Sequence, residues 1–220
     1  MKKSRIFKFL AVAAAIAIVL AGCSSRSNNS TTPSAPSNDT AQSDTEDKDD
    51  SSKPASDDAK TLIVYYSYSG TTERVAEHLR DLTDGTLYEL ELAEPYTGSD
   101  NDVSDRVFAE RDDGKMPELT GTLPDVSEYD RILIGTPVWN NSMANPVLGY
   151  LQQTDFNGKV VAPFWTYITN QGTTGKDFTA NIQNGTAADG LALRSANGMN
   201  DEKLDSTLQD WLDKLPSTDS

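Results

Sequence analysis

The segment that begins at residue 61 constrains the fold of this chain more than any other feature. Its six residues, Thr-Leu-Ile-Val-Tyr-Tyr, are apolar or β-branched without a break, which is typical of a strand buried on both faces of a parallel sheet. A polar turn follows at residues 67–72, and Val75, Leu79 and Leu82 then recur at the spacing of an amphipathic helix. A strand, a short turn and a helix form half of a βαβ unit, so the sequence favours an α/β domain.

The same alternation continues to the end of the chain. Further strands are predicted over residues 86–93, 131–135, 159–166 and 188–195. Helices are predicted over residues 100–113, 144–154 and 178–183, and in the final segment that Asn200 caps. These elements predict an open, doubly wound sheet of five parallel strands with helices on both faces. In such sheets ligands bind at the carboxyl ends of the strands, where the strand order reverses.

The residues before position 60 have a different composition. Residues 1–22 join a basic start to an apolar run that is too short to span a bilayer, which predicts a secretory signal peptide. The following stretch, up to residue 59, contains Cys23 and then no Leu, Ile, Val, Phe, Tyr or Trp, which predicts a disordered acidic tether. The folded domain is therefore expected over residues 60–220.

The signal segment ends in Leu-Ala-Gly-Cys, which resembles the bacterial lipobox. The resemblance implies that Cys23 is lipidated on its sulfur after cleavage and anchors an exported protein to the outer face of a bacterial membrane. The alternative is an ordinary cleaved signal with a chance cysteine.

Charge and cysteine content exclude several classes of function. The chain has 34 acidic and 19 basic residues and a formal net charge of −15, so its surface repels nucleic-acid backbones and favours basic partners. A single cysteine excludes an intramolecular disulfide, a CxxC redox pair and a cysteine-based zinc site. A single histidine excludes a multi-histidine metal centre. We expect neither a nucleic-acid partner nor a metal site.

The turn at residues 67–72, Ser-Tyr-Ser-Gly-Thr-Thr, is a candidate phosphate site. It places four Ser and Thr hydroxyls and a glycine at the start of a helix, whose free N–H groups carry partial positive charge. The sequence matches neither the G-x-G-x-x-G nor the G-x-x-x-x-G-K-[ST] pattern, which argues against a dinucleotide site and a P-loop. A turn that only caps its helix is the alternative interpretation.

A second turn, Thr-Pro-Val-Trp-Asn at residues 136–140, follows the third predicted strand. Together with the first turn it resembles the flavodoxin family and its flavodoxin-like reductase relatives. The resemblance implies that FMN binds with its phosphate at the first turn, on Ser67, Ser69, Gly70, Thr71 and Thr72, with Tyr68 in the same loop. It implies that the flavin ring lies beside Pro137, Val138, Trp139 and Asn140. Trp139 would stack on the ring, or would instead form a hydrophobic cap on the sheet.

The loop after the fourth predicted strand departs from the family pattern. Members usually have a short Ser/Gly-rich stretch there, whereas residues 165–175 are longer and bulkier in this chain. The resemblance still implies that Thr166, Tyr167 and Gly172 lie near the pyrimidine end of the flavin. Trp165 belongs to the alternation of the strand and is expected to face the core.

The resemblance implies electron transfer performed by the flavin, with no catalytic side chain. The expected protein is a membrane-tethered, extracytoplasmic, flavodoxin-like protein that transfers electrons or reduces a small acceptor, with a basic or membrane-bound redox partner. Two alternatives stay open. One is a flavin-free adaptor or binding lipoprotein of the same fold, which the atypical third loop suggests, and the other is an FMN-scavenging lipoprotein.

Overall fold

The computed structural model describes residues 59–217, so the expected signal peptide, the lipidated Cys23 and nearly all of the tether lie outside the described residues. The strands are β1 (Thr61–Tyr65), β2 (Thr86–Glu89), β3 (Arg131–Trp139), β4 (Ser142–Met143), β5 (Val160–Tyr167), β6 (Thr186–Ala187) and β7 (Leu191–Arg194). The helices are α1 (Thr71–Thr83), α2 (Asp100–Asp112), α3 (Asn145–Gln153), α4 (Thr174–Asn181) and α5 (Asp201–Leu212).

The sheet confirms the predicted doubly wound topology. Strands β2, β1, β3 and β5 pair in parallel in that order, and β6 and β7 both pair in parallel with β5. The fifth predicted strand, residues 188–195, corresponds to β7 alone, whereas the short β6 lies before the predicted segment and residues 188–190 form an interruption between the two. Gly190 lies in the interruption, where a Cβ atom would meet the Trp165 ring at 2.3 Å. The chain order reverses between β1 and β3, which places the predicted ligand edge at their carboxyl ends.

Helices cover both faces of the sheet, and β1 shows why. Leu62 and Val64 point into one apolar cluster, with residues of α2, α3 and α4, while Ile63 and Tyr65 point into the other, with residues of α1 and α5. This alternation is the two-residue period of a strand, and all five β1 residues are buried. The continuous apolar run at residue 61 thus reflects a central strand with a core on each side.

Several elements differ from their predicted bounds. Strand β3 continues to Trp139, beyond its predicted end at residue 135. Strand β2 ends at Glu89, and Leu92 instead forms an isolated antiparallel bridge with Leu119. Helix α4 begins at Thr174, earlier than predicted. The apolar spacing did not reveal this start, because the first turn is polar and only Thr174 and Phe178 of the helix are buried. Within residues 59–217, no helix is both long and apolar enough to cross a bilayer.

Candidate functional site

The loop at residues 67–72, called the phosphate loop after its predicted ligand, leaves the sheet at the carboxyl end of β1. The Tyr66 N–H donates to the Gly135 carbonyl at 3.1 Å, which extends the β1–β3 pairing by one residue and fixes where the loop starts. Helix α1 then begins after Gly70, whose φ of +85° suits glycine. No side chain caps this helix, and the same holds for α3 and α4, whereas Ser99 caps α2 and Asn200 caps α5. The first N–H groups of α1 therefore have no side-chain acceptor.

The hydroxyls of the phosphate loop are also short of partners. The Ser67 Oγ is buried and makes no hydrogen bond to any residue that the structure describes. The Ser69 and Thr71 hydroxyls lie 3.4 Å apart, which is a long contact for two hydroxyl oxygens. An unpartnered buried hydroxyl costs about 1–3 kcal/mol, so a ligand oxygen at this loop would be stabilising.

One hydroxyl of the loop joins it to the fourth strand of the parallel order. The Thr72 Oγ1 lies 2.9 Å from the Thr166 Oγ1, and both residues are buried. The predicted phosphate residue Thr72 and the predicted ring residue Thr166 therefore touch each other. This contact ties the start of α1 to the carboxyl end of β5.

The second predicted loop is a β-hairpin. Strand β3 continues to Trp139, turns through Asn140 and Asn141, and returns as β4 with Trp139 opposite Ser142. Both asparagines have positive φ values, 48° and 64°, which is the two-residue type I′ turn that asparagine favours. Residues 136–143, hereafter the hairpin, thus hold Trp139 on regular backbone.

Trp139 lies at the centre of an aromatic cluster made with Tyr66, Tyr68 and Tyr96. Its ring packs edge-to-face against all three, with centroid separations of 5.5, 5.5 and 5.0 Å respectively. Tyr66 and Tyr96 are buried, while Tyr68 is 44% exposed. The cluster places aromatic surface beside the phosphate loop, because Tyr68 belongs to that loop and Trp139 to the hairpin.

A polar network joins Tyr96 of the aromatic cluster to residues of α2. The Tyr96 hydroxyl donates to Glu110 at 2.5 Å, and the Arg106 guanidinium lies 4.2 Å from the centre of the Tyr96 ring. Arg106 also pairs with Glu110 at 2.8 Å. Burial raises the pKa of Tyr96 above its ordinary value, and the neighbouring Glu110 raises it further. Tyr96 is therefore a neutral donor at physiological pH.

Arg111 fastens the hairpin to the same helix. Its guanidinium donates to the Met143 carbonyl at 2.7 Å, to the Trp139 carbonyl at 3.5 Å and to the Asn145 Oδ1 at 2.8 Å. The Asn145 amide in turn donates to Glu110 at 2.8 Å. Burial lowers the pKa of Arg111, and this is opposed chiefly by the negative charge of Asp177. One half-buried cation thus contacts both strands of the hairpin.

The third predicted loop lies against the tip of the hairpin. The Thr173 N–H donates to the Asn141 carbonyl at 2.7 Å, and the Ser142 hydroxyl bonds to Asp177. At Gly172, whose φ is +58°, a Cβ atom would lie 1.8 Å from the Asn141 carbonyl oxygen, so only glycine allows this approach. The bulky loop therefore closes against the hairpin.

The remaining residues of the third loop divide between core and surface. Trp165 is buried, stacks on Phe178 with a centroid separation of 6.4 Å and donates to Gln171, as expected for a core-facing residue. Tyr167 is partly buried beside the apolar cluster that contains Trp139. The structure brings all three predicted loops together at one edge of the sheet.

Comparisons with known proteins bear on this site. The sequence model of the family described as Flavodoxin matches residues 60–215. The chain belongs to the flavodoxin family. A flavoprotein of Lactobacillus acidophilus, solved in complex with FMN, is 29% identical, with a TM-score of 0.59 over 70% of this chain and 99% of its own. A flavoprotein of Bacteroides uniformis is 33% identical, with a TM-score of 0.58 over 71% of this chain and 99% of its own.

A third structure, a flavoprotein of Bacteroides eggerthii, is 27% identical with a TM-score of 0.57 over 70% of this chain and 96% of its own. The predicted family and fold are confirmed. The cofactor that the resemblance implied is the ligand of the Lactobacillus flavoprotein. The assignment of individual site residues stays a prediction.

Sequence reasoning missed several residues of this edge. Tyr66, Tyr96 and Arg111 lie far apart in the chain and carry no local motif that links them to Trp139. Glu73 could have been found from the sequence, since it follows the phosphate loop directly and stands in the first turn of α1. Its carboxylate lies 3.8 Å from where a Gly70 Cβ would be, and it contributes to a raised pKa at Glu89, behind the larger effect of burial.

Proposed function

We propose that this chain binds FMN where the three loops meet and transfers electrons through it. The observation that carries the proposal is the Ser67 hydroxyl, which is buried without a hydrogen-bond partner in a loop that precedes an uncapped helix. A phosphate group satisfies both features, because its oxygens accept from hydroxyls and from helix N–H groups. The FMN in the similar Lactobacillus flavoprotein supports this choice of ligand.

The residues on each side of the site would have distinct tasks. The hydroxyls and amides of residues 67–72 would hold the phosphate, and the positive end of the α1 dipole would add to its binding. Pro137, Val138, Trp139 and Asn140 would support the ring from the hairpin, and Thr166, Tyr167 and Gly172 from the third loop. When bound, FMN supplies one-electron or hydride transfer, while the chain supplies binding, orientation and exclusion of water.

Charge around the site would shape the chemistry of the cofactor. Glu73 and Glu89 contribute negative charge near the phosphate loop, and burial together with Glu73 raises the pKa of Glu89. The same electrostatic repulsion would disfavour anionic reduced flavin, and so would lower its reduction potential. Across the whole chain, 34 acidic residues against 19 basic ones favour a basic redox partner.

The proposal is tested by titrating the protein with FMN while the tryptophan and flavin fluorescence are followed. We expect saturable one-to-one binding, with quenching that is mostly lost in Trp139→Phe because its ring lies in the aromatic cluster. Trp211→Phe is the matched control, since Trp211 packs against Phe164 in the other apolar cluster. Failure to bind FMN at millimolar concentration would favour the flavin-free adaptor.

Electron transfer is separated from flavin scavenging by the behaviour of the loaded protein. We expect FMN to stay bound through cycles of reduction and oxidation and to exchange electrons with a membrane fraction. Release of the flavin on reduction, without electron exchange, would favour the scavenging function. Rapid oxidation of NADPH by the purified protein alone would instead indicate a reductase.

We propose further that the chain is exported and held by lipid on Cys23 at the outer face of a bacterial membrane. The Leu-Ala-Gly-Cys pattern after a short apolar run supports this. Mass spectrometry of the N-terminal peptide should show a lipidated cysteine, and Cys23→Ser should move the protein from the membrane to the soluble fraction. An unmodified Cys23 in a protein that fractionates as soluble would refute the anchor.

A further inference from the structure

A cavity lies at the amino ends of β3 and β5, at the edge of the sheet opposite to the three loops. Its volume is about 310 Å³, and its walls include Arg131 of β3, Lys159 before β5 and the segment that follows α5. This volume is at the lower end of the range for small-ligand sites. Strand β3 runs from Arg131 at the cavity to Trp139 at the hairpin, about 26 Å at 3.3 Å per residue.

The distinctive feature of the cavity is the guanidinium of Arg131. The Arg131 Nε is buried and makes no hydrogen bond to any residue between 59 and 217. Burial lowers the pKa of Arg131, with no opposing contribution from a carboxylate. The neighbouring Asp130, which also lines the cavity, accepts a hydrogen bond from the Lys60 backbone N–H at 3.0 Å. A partly buried cation without an anionic partner is unfavourable unless a ligand supplies the charge.

Backbone groups around the cavity are already engaged. The Arg131 N–H donates to the Lys60 carbonyl, the Gly158 N–H to the Asn184 carbonyl and the Lys159 N–H to the Phe156 carbonyl. The cationic donors that remain for a ligand are the Arg131 and Lys159 side chains, and Asn157 and Ser217 add neutral ones. Apart from these polar residues and Asp130, one wall of the cavity is apolar and comprises Val160, Ala162, Leu215 and Pro216.

We propose that this cavity binds a phosphate group through Arg131 and Lys159. A guanidinium matches the oxygens of an oxyanion with paired hydrogen bonds, and two cations suit a phosphate dianion better than a single carboxylate. The apolar wall would cover the organic part of a phosphate ester. The site is independent of the flavin site, since its residues lie on the other edge of the sheet.

The test is a titration of the ¹⁵N-labelled protein, saturated with FMN, with inorganic phosphate. We expect saturable shifts of the Arg131, Gly158 and Lys159 amide signals, and at least tenfold weaker binding in Arg131→Gln. The exposed Arg80→Gln is the matched control and should bind as the wild type does. Lys159→Gln provides a second variant if Arg131→Gln fails to fold. Shifts that do not saturate, that chloride reproduces at equal ionic strength, or that occur only at residues 67–72 would overturn the proposal.

This experiment does not depend on the proposed function. Should FMN fail to bind, phosphate would be free to shift the amides of residues 67–72, but the Arg131 and Lys159 signals would still report the cavity. Glycerol phosphate and vesicles of phosphatidylglycerol then separate two sources of the same group. Saturable binding of glycerol phosphate identifies a soluble ester, and vesicle binding that Arg131→Gln abolishes identifies a lipid headgroup. Absence of both would refute an organic phosphate ligand.

Discussion

The phosphate loop and the hairpin lie side by side, and their polar groups are used in opposite ways. In the loop, the Ser67 hydroxyl has no partner among the described residues and no side chain caps α1. In the hairpin, the Thr136 hydroxyl accepts from the Ala144 N–H at 2.9 Å, and Arg111 contacts carbonyls on both strands. The loop therefore has hydrogen-bonding capacity left for a ligand, and the hairpin has very little.

This difference suits the two regions to different parts in the proposed binding of FMN. A hairpin fixed by internal hydrogen bonds can present Trp139 in one orientation, which lowers the entropic cost of binding a flat ring. A loop with unsatisfied donors is less stable alone but gains when an anion binds. Variants that disturb one region should therefore affect stability and FMN affinity differently from variants that disturb the other.

Replacing Arg111 by Met should have the largest effect. The substitution leaves the Met143 carbonyl and the Asn145 side chain without their charged donor, which should lower the free energy of unfolding by about 2–4 kcal/mol. FMN affinity should fall as well, because the hairpin loses its support. Chemical denaturation and FMN titration measure the two effects. Arg80→Met, which removes only an exposed pair with Asp81, should change neither, and equal losses in both variants would contradict the role of Arg111.

Gly172→Ala should disturb the hairpin at its turn, where the third loop packs against Asn141. A Cβ atom there would lie 1.8 Å from the Asn141 carbonyl oxygen, so the third loop must move away from the turn. We expect a loss of about 1–3 kcal/mol in the free energy of unfolding, together with weaker FMN binding. Gly114→Ala is the control, since Gly114 also has a positive φ but nothing lies within 4 Å of its Cβ position. Similar losses would mean that backbone strain, not the contact, is responsible.

Ser67→Ala should separate the two properties. Without FMN, the variant should be more stable by about 1 kcal/mol, because it removes a buried hydroxyl that has no partner. FMN affinity should fall about fivefold to tenfold, because the phosphate loses the hydrogen bond that the hydroxyl would donate. In the hairpin, Ser142→Ala removes a hydroxyl that bonds to Asp177 and should only destabilise. A Ser67→Ala protein that is less stable without FMN would show that the hydroxyl has an internal role.

The fold was predictable from sequence because its central strands are continuous apolar runs between polar turns. Strands β1 and β5 are close to their predicted bounds for this reason, whereas β3 begins as predicted but continues past its predicted end at residue 135. Helix α5 begins directly after its predicted cap, Asn200. The short β6 and the interruption before β7 were not predictable, and the close approach of Gly190 to the Trp165 ring there joins residues that are distant in the sequence. The start of helix α4 was predicted too late, because its first turn is polar and shows no apolar periodicity.

Only those parts of the candidate site that are contiguous in the sequence could be predicted. The turn at Gly70 and the hairpin around Trp139 are contiguous segments, so their positions could be inferred from the chain. The Arg111 contact with Met143 joins residues 32 positions apart, and no local pattern encodes it. The sequence allows Trp139 to be a flavin-stacking residue or a hydrophobic cap. The structure gives it three tyrosine neighbours, which is compatible with either role.

The smallest effect should come from Glu73→Gln, which changes the charge next to the phosphate loop without changing the shape of the loop. Glu73 stands in the first turn of α1, where its carboxylate competes with a phosphate for the positive end of the helix dipole. FMN affinity should rise about twofold to fivefold, equivalent to the 0.3–1 kcal/mol of such interactions, and the gain should shrink at high salt. Glu77→Gln, one turn further along α1, should give a smaller gain.

Glu73→Gln should also change how the stability of the protein depends on pH. Burial raises the pKa of Glu89, and Glu73 raises it further, so ionised Glu89 opposes folding as the pH rises through its folded-state pKa. In Glu73→Gln the pKa of Glu89 should fall but stay above its ordinary value, because burial persists. An NMR titration of the Glu89 carboxyl measures this shift directly. If FMN affinity rises while the pKa of Glu89 is unchanged, Glu73 acts on the phosphate alone, and the loop and β2 are not electrostatically coupled.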